Sequence, residues 1–397
     1  MKNIFKTLII SALFLSALTS CHDMVFSNIL EDVTPEEATV NGSVNAITRY
    51  NVGGEEYLVT NSQKGLIYKK ASDNRHGAWK TYNHLPFELH HYDYYNTTHY
   101  GQQVVKTAAD STTLYVVAVT YQNHTSLGTN YPSHISIWAA SISSWDSTPS
   151  WKDLNADGTK TYIYQDGNYF KTDFNVFCTN TPKNSHRRAY LRNKESELYQ
   201  LSASSLTAIT ANKPYEQSGG NGRIDSAIWF NGTVYHLDSL ASTTNETTSS
   251  DPTYFYYSPD NSKSVYTASG TSQSNLISPA IDAGEAVSCL AITKNALLIG
   301  RANTDETSAS YGGIVKANAT DYLPESKLSG FTTNAAAQMP SSYLINTLLA
   351  VDPSQNETET ALYGSIIFRT IGTSSAVNYD NVGLWSYYPS RGNWNRE

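Results

Sequence analysis

The chain has 397 residues, of which 35 are acidic and 27 basic, and its formal net charge is −8. A surface of that sign repels nucleic acid and anionic lipid headgroups, which sets aside nucleic-acid-binding proteins. Only 16% of residues are charged while tyrosine reaches 29 copies, a profile of exported β-rich proteins with many polar turns.

In chain order, Lys2 and Lys6 precede an apolar run from Leu8 to Leu18 that is too short to span a bilayer as a helix. The run closes on Leu18-Thr19-Ser20-Cys21: aliphatic, small, small, cysteine. This segment resembles the signal peptide of bacterial lipoproteins. The resemblance implies removal of residues 1–20 and attachment of a diacylglyceride to the Cys21 thiol, with palmitate-type acyl chains holding the protein to the membrane. His22 follows the cysteine, where an aspartate in many Gram-negative lipoproteins directs retention in the inner membrane. The implied destination is therefore the outer membrane, on its periplasmic face or at the cell surface. Losing residues 1–20 removes two lysines and no acid, so the charge moves from −8 to −10.

Residues 21–38 are acidic and aperiodic and read as a tether, leaving 39–397 as a single domain. That domain reads as short β-strands separated by Gly, Asn, Asp, Ser and Pro clusters, in groups of about four that recur every 55 to 70 residues. The first group is predicted at 40–48, 55–61, 65–70 and 78–82, and the second at 103–109, 112–121, 135–142 and 159–165. The third covers 173–179, 187–193, 197–202 and 206–210; the fourth covers 224–230, 233–238, 253–258 and 264–268, with Asn231-Gly232 as a tight hairpin turn. The fifth, at 285–293, 296–301 and 312–317, lacks an evident last strand, and the sixth covers 342–351, 361–370, 382–388 and 393–396. Leu114 to Val119 and Leu348 to Val351 are apolar at every position, so those strands require cover on both faces. Stacked blades provide that cover, and six groups of four strands predict an all-β, six-bladed β-propeller.

A short motif recurs between strands. Ser144-x-Asp146 leads to Ser150-Trp151, Ser258-x-Asp260 leads to Ser264-Val265, and Ser72-x-Asn74 leads to Ala78-Trp79 at the same offsets. The pattern resembles the Asp-box, S-x-D-x-G-x-T-W, of sialidases and other propeller proteins, which lies between the third and fourth strands of a blade. In that family the box is structural: Asp or Asn bonds the turn's backbone N–H groups and the large apolar residue packs into the blade. All three copies depart from the pattern at the glycine, where Thr148, Ser262 and His76 stand.

The sialidase resemblance also implies three arginines for a substrate carboxylate, and Arg49, Arg223, Arg301 and Arg369 lie on or beside predicted inner strands. The family's R-I-P motif does not occur. A glycan hydrolase or lyase with paired carboxylates would draw on Asp93, Asp173, Asp225 and Glu285. His84, His90, His91, Asp93 and His99 crowd one linker without the spacing of a known metal motif. Asp153, Asn155 and Asp157, followed by Gly158, fit the opening of a calcium loop, although Tyr164 stands where an EF-hand has its bidentate Glu. A plain hairpin at 156–158 is the alternative, and no cofactor beyond Ca²⁺ is expected. Cys178 and Cys289 sit in apolar strand-like runs and read as buried small hydrophobes, although an oxidising compartment would permit a disulfide.

The loops predicted to gather at one end of the propeller carry many tyrosines, whose flat rings and hydroxyls suit sugars and protein surfaces. Tyr92, Tyr94, Tyr95 and Tyr215 are the candidate contacts. The sequence thus predicts a monomeric, lipid-anchored binding module for a glycan or protein, with no nucleic-acid partner. An envelope glycan hydrolase or lyase and a scaffold subunit of an envelope complex are the alternatives.

Overall fold

The computed structural model describes residues 40–397 apart from 41, 43, 64, 76–77, 94–97, 125–128, 156–164, 167–168, 171–173, 182–183, 193–197, 209–222, 230–252, 259–264, 267–271, 274–284, 295, 304–313, 319–323, 328–343, 368–382 and 393. All of these belong to one compact unit, Thr39–Glu397. The signal peptide and tether lie outside the described residues.

The unit is all-β. Its first sheet is β1 (Ile47–Val52), β2 (Glu55–Ser62), β3 (Gly65–Lys70) and β4 (Lys80–Thr81), antiparallel and side by side in chain order. A small hairpin of β5 (His91–Asp93) and β6 (Thr98–Tyr100) leads to the second sheet: β7 (Gln102–Ala109), β8 (Leu114–His124), β9 (Thr129–Ala140) and β10 (Lys152–Asp153). A second hairpin, β11 (Gln165–Asp166) and β12 (Tyr169–Phe170), precedes β13 (Asn175–Asn180), β14 (Ala189–Arg192), β15 (Leu198–Leu201) and β16 (Leu206–Ala208). Next come β17 (Arg223–Trp229), β18 (Thr253–Ser258), β19 (Val265–Tyr266) and β20 (Ser272–Gln273). These two antiparallel sets join through parallel pairing of β13 with β17, Thr179 opposite Ala227 and Asn180 opposite Ile228. The last two sheets are β21 (Glu285–Ile292), β22 (Ala296–Asn303), β23 (Ile314–Asn318) and β24 (Pro324–Lys327), then β25 (Leu344–Ala350), β26 (Leu362–Ile367), β27 (Gly383–Tyr387) and β28 (Trp394–Arg396).

Four sequence expectations are corrected. β1 begins at Ile47, seven residues later than predicted. The fourth strand of the second sheet is Lys152–Asp153 rather than 159–165. Both Asp153 Oδ1 contacts explain why the chain pairs there: the oxygen accepts from Ile137 N–H at 3.1 Å and Asn155 N–H at 2.9 Å, fastening the segment to β9. β17 pairs directly with β18, so 233–238, which lies outside the described residues, is not its ladder partner. The fifth set does have a last strand, Pro324–Lys327, and its first residue shows why it escaped notice: a proline cannot donate to a ladder and is tolerated only at such an edge.

Alternation distributes each central strand between two cores. Tyr115, Val117 and Val119 of β8 pack with Val176, Ala189 and Leu191 of the β13–β16 set. Leu114 and Val116 of the same strand point the other way, into a core shared with Tyr50, Val59 and Leu66 of the first sheet. β25 does likewise, with Leu348 and Ala350 packed with Leu298 and Ile314 and with Leu349 packed with Ile47 and Leu58. Successive side chains of a strand face opposite ways, so a strand apolar throughout must stand between two neighbours. Trp145 wedges the first two sheets together, stacked on Tyr68 at 4.0 Å between centroids with its plane 8° from parallel. The first strands of the sheets follow one another in space: β1 lies against β7, β7 against β13, β13 beside β17, β17 against β21, β21 against β25, and β25 against β1.

Candidate functional site

The first strands of the sheets, where they converge, enclose a cavity of about 330 Å³. Its wall is shaped by a recurrent irregularity. β7, β21 and β25 each carry a register shift, between Val104 and Lys106, Val287 and Cys289, and Ile345 and Thr347. A bulge re-aims the residues that follow it, and Lys106, Cys289 and Thr347 all line the cavity.

Four cations line the cavity, Arg49, Lys106, Arg187 and Arg192, and no Asp or Glu does so among the described residues. Arg49 is only 5% exposed and reaches across several sheets, donating to Val351 O at 3.2 Å and to Thr181 O. Arg187 donates to the backbone oxygen of Arg49 at 2.7 Å and to Glu56 Oε1 at 2.6 Å. Burial, then the nearby Arg187 charge, lowers the Arg49 guanidinium to about 10, against the opposing pull of Glu56. Lys106 donates to Asn175 Oδ1. Asparagines stitch neighbouring sheets around the wall: Asn346 Nδ2 donates to Val44 O at 3.2 Å, Asn45 Nδ2 to Val105 O at 3.0 Å, and Asn180 Nδ2 to Leu290 O at 3.0 Å. Cys178 and Cys289 lie on this wall outside any disulfide, half-buried, with Cys178 Sγ 3.1 Å from Thr48 Oγ1 and Cys289 Sγ 3.6 Å from Ile345 O.

The structure separates the sequence-predicted residues into several places. Of the four arginines first singled out, Arg49 is on the cavity wall; Arg369 and the side chains of Arg223 and Arg301 lie outside the described residues. Cys21, Tyr94, Tyr95, Tyr215, Asp157, Asp173, Asp260 and Ser264 also lie outside them, as do the side chains of Tyr92, Asp93, His99, Asp225, Ser258 and Glu285. Asp153 and Asn155 serve the β9–β10 junction, where Asn155 Nδ2 donates to Ile135 O at 2.5 Å. Among the described residues, no group of three His, Cys, Asp or Glu side chains is disposed to hold a metal. His84 instead sits on the second motif copy, its Nδ1 3.0 Å from Thr148 Oγ1 and its carbonyl accepting from Trp151 Nε1 at 2.8 Å.

Two motif copies, 72–79 and 144–151, fall between the third and fourth strands of their sheets. The third, at 258–265, falls between the second and third strands of its described set. In the copy at 144–151 the turn is held through Ser144, whose Oγ accepts from Asp146 N–H at 3.3 Å and whose carbonyl accepts from the Ser147 hydroxyl at 2.8 Å. In the copy at 72–79 the acid that bonds the turn is Asp73, not Asn74: its Oδ1 accepts from Arg75 N–H at 3.0 Å, and Asn74 O accepts from Arg391. Trp79 is buried, whereas in the other copy Trp145 is more deeply buried than Trp151.

Sequence reasoning missed Lys106, Arg187 and Arg192. Lys106 gave a signal, a lone charge within the apolar run Val104 to Ala109, where an exposed strand face is ruled out by the neighbours. Arg187 and Arg192 flank or end a strand as solvated charges commonly do, and nothing local marks them.

No family model matches the chain, and no curated protein matches it. Among solved structures, it is similar to AofleA from Arthrobotrys oligospora, at 8% identity and a TM-score of 0.39, covering 91% of this chain and 86% of that one. It is also similar to the Dos1 propeller, at 11% identity and a TM-score of 0.35 over 83% of this chain and 67% of that one. A GH43 protein from Bacillus licheniformis gives 11% identity and a TM-score of 0.33 over 83% of this chain, which spans 50% of that chain's length. At such scores these likenesses carry no inference, and the architecture stands on strand order and packing alone.

Proposed function

We propose that this protein is a lipid-anchored, exported binding module, a six-bladed β-propeller that takes a glycan or protein ligand at its loop-rich face. One observation carries the reading: the first strands succeed one another through the sheets and return, β25 lying against β1, which supports a closed ring of blades. Radial repetition of that kind leaves only short, protected sheet edges, which limits edge-to-edge aggregation. It also brings the connections between blades to one end, where Tyr92, Tyr94, Tyr95 and Tyr215 are the proposed contacts. The lipid on Cys21 would hold the protein at the membrane, among envelope or surface ligands.

The test presents the protein to an array of glycans and matrix proteins, with turnover followed on every hit. Binding without cleavage is expected, and replacing the four tyrosines together with alanine should abolish it while leaving the melting temperature nearly unchanged. Unchanged affinity in that variant would defeat the placement. Time-dependent cleavage of a hit would move the protein to the glycan-active hydrolases or lyases.

A further inference from the structure

The asparagine amides on the cavity wall turn their donors into the protein. Asn180 Nδ2 donates to Leu290 O at 3.0 Å, and Asn346 Nδ2 donates to Val44 O at 3.2 Å and to Asn45 Oδ1 at 3.3 Å. With the nitrogens fixed in this way, the remaining end of each amide is an acceptor. Asn180 Oδ1, Asn346 Oδ1 and the Thr347 hydroxyl have no hydrogen-bond partner among the described residues. All three residues are half-buried and line the cavity, so these atoms are the ends left to face it. The bulge of β25 is the local cause, since it sets Asn346 outside the ladder and re-aims Thr347 beside it. The neighbouring guanidiniums are committed to the wall: Arg49 donates to Val351 O and Thr181 O, and Arg187 donates to Arg49 O and Glu56. A cationic ligand finds no counter-charge, because no Asp or Glu lines the described wall.

We infer that this cavity is a binding site for a small, neutral, polyhydroxylated molecule of monosaccharide size. Hydroxyls donate to amide oxygens, and they both donate to and accept from the hydroxyl of Thr347. Water satisfies such groups one at a time, whereas adjacent hydroxyls on one ring satisfy several together with less loss of freedom. Phe174, half-buried on the same wall, adds an aromatic ring for the C–H face of the ligand. The volume, about 330 Å³, lies at the small end of ligand pockets and suits a single sugar ring rather than a polymer chain. This site is distinct from the loop-rich face. Ligand capture there can fail while the cavity still binds, and the reverse.

The test titrates the full chain, in a polyoxyethylene detergent that carries no sugar, with glucose, galactose, N-acetylglucosamine and myo-inositol. At least one of the four should bind saturably, at one per chain, in calorimetry. Thr347→Val keeps the shape of the side chain and touches no bond that holds the wall. It should weaken that binding about threefold to tenfold, the effect of one hydrogen bond. The variant with Tyr92, Tyr94, Tyr95 and Tyr215 replaced by alanine should bind the same molecule unchanged, which separates the cavity from the loop-rich face. A readout on the unaltered protein guards against variants that do not fold. Cys178 lies on the same wall, so the bound molecule should slow its alkylation by iodoacetamide, followed by peptide mass, whereas dextran at equal mass concentration should not. Four outcomes overturn the inference: no saturable binding of any of the four, full affinity in folded Thr347→Val, loss of binding in the folded four-tyrosine variant, or protection that dextran reproduces.

Discussion

Glu397 shows how much one side chain can hold. It is fully buried and accepts from three donors: Lys69 Nζ at 3.0 Å, Trp79 Nε1 at 2.6 Å, and the Ser386 hydroxyl. Lys69, with a side chain 0% exposed, lies 5.5 to 5.8 Å from the rings of Trp79, Tyr363 and Tyr388. Burial pulls its pKa down and the Glu397 carboxylate pulls it back up. Removing one partner of such a pair leaves a buried charge uncompensated, while removing both does not. Glu397→Ala is therefore expected to cost about 3–5 kcal/mol in urea denaturation. The double variant Lys69→Met with Glu397→Leu should cost much less, and losses that simply add would refute the pairing. None of this was legible beforehand, because the partners stand 328 positions apart in the chain.

At the scale of elements, the entry to the second sheet turns on Gly101. Its φ of +76° lies in the left-handed region, and a Cβ there would stand 2.6 Å from the backbone oxygens of Glu88 and Leu89. The close approach is used. His90 N–H donates to Gln102 O at 2.9 Å and Gln102 N–H to Glu88 O at 2.8 Å, tying the segment before β5 to the first residue of β7. Gly101→Ala must move that backbone as well as strain its own, so a loss of about 1–3 kcal/mol is expected. Gly53, at φ +62° in the β1–β2 turn with nothing within 4 Å, is the control. Gly53→Asn should cost well under 1 kcal/mol, since asparagine tolerates that conformation. Equal effects on the thermal midpoint would show that strain alone, and not the close approach, sets the cost at Gly101. The strand groups themselves were legible as alternation and turn residues, and the third set matched within a few residues. β4, β10, β19, β20 and β28 are two or three residues long, too short for any periodicity, and their positions depend on what they pair with.

The molecule as a whole is assembled at the seams between sheets, and several seams are closed by tyrosines. Tyr82 belongs to the seam of the first and second sheets and Tyr388 to that of the last and first. Burial pushes both hydroxyls up from the ordinary value near 10 to about 12. Above pH 10 the unfolded chain releases these protons and the native one keeps them, so stability falls as pH rises from about 10 to about 12. Thermal melts across that window should show a steep decline and little change just below it. Tyr82 also presents a buried hydroxyl without a hydrogen-bond partner. Tyr82→Phe should therefore leave neutral-pH stability unchanged or slightly raised and soften the alkaline decline, and an unaltered decline would exclude Tyr82 as a contributor.

The amino-acid sequence by itself determined the all-β class, the quartet spacing and the two-sided burial of strands such as β8 and β25, because alternation and turn chemistry act over a few neighbouring residues. The tertiary structure decided which charges meet. Arg49, Lys106, Arg187 and Arg192 come from three different sheets or their borders, and only the convergence of the first strands gathers them around one void. Electrostatic fields add through space and not along the chain, so the meeting of these four side chains is invisible until the sheets are packed.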